Sequence, residues 1–224
     1  EEGFVIDARR FQSLLPARLA FVTNLHNPSG VRSDPALLRE LGAAMAAGGG
    51  LLVVDEIFRP LAADLLSVAG APGIAVTGSL SKCYGGTATR VGWVVAEKEL
   101  VARLAALKQW TNLGVFPAGE RAGLAILHEA EDRLGRVREC ASGGGALVRA
   151  ACEALGWEWF ASESIIGFPR VGGDTLALAQ RLAAAGVVVC PGDYFGMPGH
   201  LRLGWGIPRP ALEAALGALE AALA

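Results

Sequence analysis

One lysine stands between two serines and a glycine pair in Gly78-Ser79-Leu80-Ser81-Lys82-Cys83-Tyr84-Gly85-Gly86, and Arg90 follows eight positions after it. Serine hydroxyls and glycine amides can surround a phosphate, and a guanidinium can neutralise it. A lysine amine held beside them can form an imine with an aldehyde cofactor. Three further stretches carry chemical groups. Asp55-Glu56-Ile57-Phe58 follows the apolar run Leu51–Val54, so Asp55 ends a buried strand and its carboxylate needs a partner. Arg59 is one candidate partner, and a helix cap is another reading of Asp55. Asn27-Pro28-Ser29-Gly30 is turn chemistry with a free amide. Late in the chain, His200-Leu201-Arg202-Leu203 offers a guanidinium fork suited to a carboxylate.

The elements that must position these groups are short and alternate in type. Asp7 to Leu15 reads as a helix ended by Pro16, and Leu19–Thr23 as a buried parallel strand running into the Asn27 loop. Ser33 or Asp34 caps the next helix, Pro35 suits its first position, and Gly48-Gly49-Gly50 stops it. Leu51–Val54, Ile74–Thr77 and Val91–Ala96 are further strands. Strands alternating with helices argue for a doubly wound α/β layer, with ligands at the carboxyl ends of the strands.

Beyond these come helices over Glu97–Trp110, Glu120–Ala130 and Glu131–Leu155, the last weakened or kinked at Gly143-Gly144-Gly145. Trp157–Phe160, Ser164–Pro169, Val187–Cys190 and Leu201–Leu203 read as strand pieces, with helices over Asp174–Ala185 and from Pro210 onward. This predicts a large α/β domain over residues 1–132 and a smaller α+β domain over 133–224.

Composition narrows the function. The chain has 224 residues, 52% hydrophobic and 19% charged, which is a globular balance. The net charge of −2 and the lack of a basic run give no footing for nucleic acid. Mean hydropathy is +0.40, yet glycine or charge interrupts every apolar run before the roughly 18 residues a span requires, so no membrane partner is expected. Cys83, Cys140, Cys152 and Cys190 are scattered, without a metal or disulfide spacing, which favours a reducing, cytoplasmic setting. The three histidines have no metal-ligand spacing, and His26 reads as a turn residue.

Together, Asn27-Pro28-Ser29-Gly30, Asp55-Glu56-Ile57-Phe58, Ser79-Leu80-Ser81-Lys82 with Arg90, and Arg202 resemble, in this order, the fold-type-I pyridoxal-phosphate-dependent aminotransferases of class I/II. The resemblance covers essentially the whole chain. It implies an amino-group transfer between an amino acid and a 2-oxo acid through a pyridoxal 5'-phosphate imine on Lys82. It further implies that Ser79, Ser81 and Arg90 hold the phosphate, that Asp55 faces the pyridine nitrogen, and that Asn27 faces the phenolic oxygen. Arg202, with Asn27, would grip the substrate carboxylate, and the protein would be a homodimer. Phe58 departs from the pattern, which often has a tyrosine donating to the same oxygen; Arg59 or a water would have to stand in.

In the resembling enzymes roughly 150 residues precede the point at which this sequence starts. They supply part of the phosphate loop, an aromatic ring over the pyridine, and dimer contacts. The absence of these and of a starting methionine predicts a trimmed or incomplete chain. Three alternatives stay open: a truncated chain inactive alone, a pyridoxal-phosphate-dependent lyase or decarboxylase, and the effector domain of a regulator of the same fold. The amino-acid donor is not legible.

Overall fold

The computed structural model describes residues 2–112 and 114–223. Its contacts divide the chain into two compact units. One gathers Val5–Leu25 and Ser33–Gly135, the other Glu1–Phe4, His26–Arg32 and Arg136–Ala224. The Asn27 loop thus belongs to the same unit as Arg202, although most of the chain separates them.

The first unit is built on a four-stranded sheet of β1 (Leu19–Thr23), β2 (Leu51–Asp55), β3 (Ile74–Ser79) and β4 (Gly92–Val95), in that order. β1, β2 and β3 are parallel, with Thr23 opposite Asp55 and Asp55 opposite Thr77. β4 runs antiparallel to β3. Each parallel step needs a crossover, and α2 (Pro35–Ala47) supplies the first. Asp34 caps it by accepting from Ala36 N, and Pro35 occupies its first turn. Its buried stripe of Leu38, Leu41 and Met45 packs on Leu52, Val54, Ile74 and Val76, all at most 3% exposed. Each such side chain contributes about 1.5–3 kcal/mol by leaving water, so this seam fixes the register that sets Asp55 beside Thr77.

α1 (Ala8–Ser13), α3 (Lys98–Thr111) and α4 (Pro117–His128) complete the helices of this unit, with the start of α5 (Ala130–Ala154). α4 comes very close to the loop after β3, because a Cβ at Gly119 would lie 2.4 Å from the Thr89 carbonyl oxygen. Only glycine permits that approach. α3 buries no residue, and Val101, Leu104, Leu107 and Trp110 are exposed along it. Phe21 on β1 and Trp93, Val94 and Val95 on β4 are exposed as well. Both sheet edges and α3 therefore present apolar surface that the described residues leave uncovered.

The second unit has a small antiparallel sheet, β5 (Ile166–Gly167), β7 (Leu201–Gly204) and β6 (Cys190–Pro191), in the order β5-β7-β6. α5, α6 (Thr175–Ala184) and α7 (Arg209–Leu223) enclose a core of Val148, Cys152, Leu182, Leu201, Leu203, Trp205, Leu212 and Leu219. Asp174 caps α6 by accepting from Leu176 N and Ala177 N.

α5 runs as one helix through Gly143–Gly145. Gly144 and Gly145 lie against the Trp205 indole, whose Nε1–H donates to the Ala141 carbonyl at 3.0 Å. Two local expectations fail here. Val187–Val189 is not a strand, since pairing begins only at Cys190. Trp157–Phe160 contributes one isolated bridge, Glu158 to Arg170, instead of a strand.

Candidate functional site

The lysine loop starts where β3 ends. Ser79 donates from Oγ to Ser81 Oγ at 2.8 Å and receives the Ser81 amide at 3.0 Å. Further on, Thr87 Oγ1 donates to the Ser81 carbonyl at 2.8 Å, and the Gly86 amide donates to the Leu80 carbonyl at 2.8 Å. The loop is thereby closed on itself, with Leu80 buried beneath it and Lys82 exposed on its rim. Cys83, wholly buried, donates from Sγ to the Ile57 carbonyl at 3.0 Å and ties this loop to the one after β2.

Arg90 ends the short 3-10 turn Thr87–Thr89 in the left-handed conformation, φ 54° and ψ 34°. A non-glycine residue pays strain there, of order 1 kcal/mol, and such outliers gather at functional sites. Its Nη1 donates to the Thr87 carbonyl at 3.3 Å, and the side chain is exposed.

Asp55 closes β2 at half-buried exposure. Its Oδ1 accepts from Thr77 Oγ1 and from the Ile57 amide, each at 3.1 Å. The pairing with Arg59 does not form. Arg59 instead bridges Glu56 at 3.1 Å and donates to the Leu65 carbonyl at 2.8 Å. Glu56, 6% exposed, also accepts from Ser67 Oγ and the Val68 amide, at 2.7 and 2.9 Å. This network holds the 56–68 excursion and engages Nε and Nη1 of Arg59. Phe58 is itself buried at 5% exposure.

In the other unit, Arg202 lies on β7 opposite Cys190. Its Nη1 donates to Asn27 Oδ1 at 3.2 Å, and its guanidinium carbon stands 5.2 Å from the centre of the Phe195 ring. Phe195 meets Phe168 edge-on at 5.6 Å, and Phe168 stacks on His200 at 5.0 Å. Behind Asn27, His26 Nδ1 pairs with Ser29 Oγ at 2.7 Å, and burial lowers the His26 pKa. The predicted residues fall into two sets: Asp55, Phe58, Ser79, Ser81, Lys82 and Arg90 in one unit, Asn27 and Arg202 in the other.

Sequence reasoning missed Thr77. The available signal was a hydroxyl at the end of the apolar run Ile74–Val76, one β-crossover after an acidic strand end. It gave Phe195 no role of its own, because a cation over a ring is invisible without the fold.

In the first unit, a carboxylate at one strand end and an amine with two hydroxyls and a guanidinium at the next are groups able to bind an anionic aldehyde; in the second, an amide-braced arginine is a group able to bind a carboxylate. Among the described residues no cluster of His, Cys, Asp or Glu could hold a metal, and no helix is long and apolar enough to cross a membrane.

Comparison with known proteins agrees with this chemistry. The family model for aminotransferase class I and II matches residues 1–219. Capreomycidine synthase of Streptomyces vinaceus is 32% identical over 240 residues, covering 98% of this chain and 60% of the relative. Histidinol-phosphate aminotransferase 1 of Cupriavidus pinatubonensis is 32% identical over 230 residues, covering 99% and 60%. The chain thus spans about three-fifths of the length of these relatives. Among solved structures, a PLP-dependent aminotransferase from Streptococcus suis superposes with a TM-score of 0.91 at 23% identity, over 99% of this chain and 62% of that one. Thermus thermophilus aspartate aminotransferase with maleate gives a TM-score of 0.90 at 23% identity, over 99% and 61%. The fold is therefore the expected fold type I, and the chain belongs to the aminotransferase class I and II family.

Proposed function

We propose that the protein is a pyridoxal-phosphate-dependent aminotransferase, moving an amino group between an amino acid and a 2-oxo acid. The observation that carries the reading is the placement of Asp55 and the Ser79–Arg90 loop at the carboxyl ends of adjacent parallel strands. Such sheets bind ligands there. The donor set fits the cofactor. Ser79, Ser81 and Arg90 would hold its phosphate, Asp55 its ring nitrogen, and Lys82 its aldehyde carbon through a covalent link; Asn27 and the donor-free Phe58 would lie toward its phenolic oxygen. When bound, the cofactor supplies a ring that withdraws electrons from the substrate's α-carbon. The protein does the rest. Asp55, fixed by two hydrogen bonds, offers a negative charge to a protonated nitrogen. Lys82, exposed on the loop, would be the amine that carries a proton to and from the substrate carbon. Arg202, braced by Asn27 and Phe195, offers its fork to the substrate carboxylate.

The same reading divides the chain into the latter part of a large cofactor domain, 1–132, and a small domain, 133–224. It makes the working protein a cytoplasmic homodimer. Support comes from the uncovered apolar surface on α3, β1 and β4, which a larger assembly would bury, and from the free cysteines. A second reading, related chemistry on the same lysine ending in a synthase reaction, is favoured by the capreomycidine synthase relative.

The test is an absorbance titration of the protein with pyridoxal phosphate, followed by borohydride reduction and peptide mass spectrometry. A saturable visible band and a reduced adduct on Lys82, both lost in Lys82→Ala, are expected. An adduct that survives Lys82→Ala would overturn the assignment. Amino acids with 2-oxoglutarate then separate the two readings: amino transfer supports the first, and turnover of the amino acid without transfer the second.

A further inference from the structure

Asp55 accepts two hydrogen bonds, and both fall on the same oxygen. Thr77 Oγ1 and the Ile57 amide each lie 3.1 Å from Oδ1. Among the described residues Oδ2 receives none. The Ile57 bond is local, two residues along the chain, and any residue at position 57 other than proline would make it. The Thr77 bond is different. It comes from the neighbouring strand, at the position the parallel register sets directly opposite Asp55. A carboxylate rotates about its last torsion over a broad well. Two donors converging on one oxygen from different directions narrow that well and leave the other oxygen to face outward.

We propose that Thr77 is a positioning residue for the cofactor ring: its hydroxyl occupies Oδ1 and so commits Oδ2 of Asp55 to the ring nitrogen. This rests on the reading of Asp55 given above and goes beyond it, because it places a second residue behind the ring's charge partner. It also explains a hydroxyl directly after the apolar stretch Ile74–Val76 of β3, where valine would satisfy the strand equally well.

Thr77→Val keeps the shape and removes the donor; Thr77→Ser keeps the donor and removes the methyl. The readout is the nitrogen NMR shift of ring-15N pyridoxal phosphate bound to the full protein, with Asp55→Asn setting the unprotonated end of the scale and melting of the cofactor-free variants checking the fold. Thr77→Val is expected to move the signal toward Asp55→Asn and to weaken cofactor binding about fivefold, the equivalent of ~1 kcal/mol. It should lower kcat while leaving KM for the amino acid close to wild type, since Arg202 is untouched. Thr77→Ser should restore all three. A Thr77→Val protein with the wild-type shift and affinity overturns the assignment, and so does a Thr77→Ser protein as impaired as Thr77→Val. If the wild type binds no cofactor, or Asp55→Asn leaves the shift unchanged, the Asp55 reading fails first and takes this one with it.

Discussion

Arg202 and Asn27, 175 positions apart in sequence, are joined by a 3.2 Å hydrogen bond from Nη1 to Oδ1, and the Phe195 ring lies 5.2 Å from the same guanidinium. The amide takes one donor and the ring takes one face. An arginine held on two sides can present its remaining N–H groups without first losing much rotamer freedom.

Replacing Arg202 by lysine keeps the charge and loses the fork. With charge-assisted bonds worth about 1.5–3 kcal/mol, kcat/KM for the amino acid should fall about 10- to 100-fold. Cofactor affinity should hold. Phe195→Leu removes only the ring and should cost about 0.5–1 kcal/mol. Steady-state kinetics beside a cofactor titration tests both; equal losses of substrate and cofactor binding in Arg202→Lys would contradict the role.

Adjacent glycines in α5 should respond oppositely to alanine. A Cβ at Gly143 meets nothing within 4 Å, so Gly143→Ala should gain about 1 kcal/mol from helix preference alone. At Gly144 the new carbon would lie 2.8 Å from Trp205 Cδ1 and 3.2 Å from Leu212 Cδ2. Trp205 cannot yield easily, being 1% exposed and bonded to the Ala141 carbonyl. Overpacking of that kind costs about 1–3 kcal/mol. Thermal melts should rank Gly143→Ala above wild type and Gly144→Ala below it.

His26 should make the fold acid-sensitive. Burial lowers its folded pKa below the unfolded value near 6.5, so the unfolded chain binds the proton more readily. The stability tied to neutral His26 is complete above about pH 6.5. It is lost as pH falls from there toward the lower folded value. Melting temperature followed from pH 8 to 5 should drop less steeply in His26→Gln than in wild type.

The thiols should separate by reactivity. Burial, reinforced by the charge of Glu153, pushes the Cys152 thiol up to about 12, and the side chain is 1% exposed. Cys83 is fully buried as well, whereas Cys140 is exposed. Only the thiolate reacts. Iodoacetamide at mild alkaline pH should therefore label Cys140 well before Cys83 or Cys152, as read by peptide mass spectrometry. Rapid labelling of Cys152 would show that the C-terminal core opens.

Much of the local structure was legible before any fold. Leu19–Thr23 is a strand because five apolar or β-branched residues stand between turn signals. Asp34 and Asp174 cap their helices because a carboxylate two residues before a free amide satisfies it without help from elsewhere. The candidate groups were legible too, since Lys82, Asp55 and Arg202 carry chemistry that a packed core seldom needs.

What the chain order could not disclose is who holds whom. Arg59 was a plausible partner for Asp55 at four positions' distance, yet the 56–68 excursion takes it for Glu56 and Leu65, and the parallel register supplies Thr77 instead. The triple glycine reads from the sequence as a weak point of the helix, whereas the fold gives it a packing role, with Gly144 and Gly145 set against the Trp205 indole. In each case the deciding energy is a contact between residues distant in sequence. Such contacts depend on register and close packing, which local periodicity does not encode.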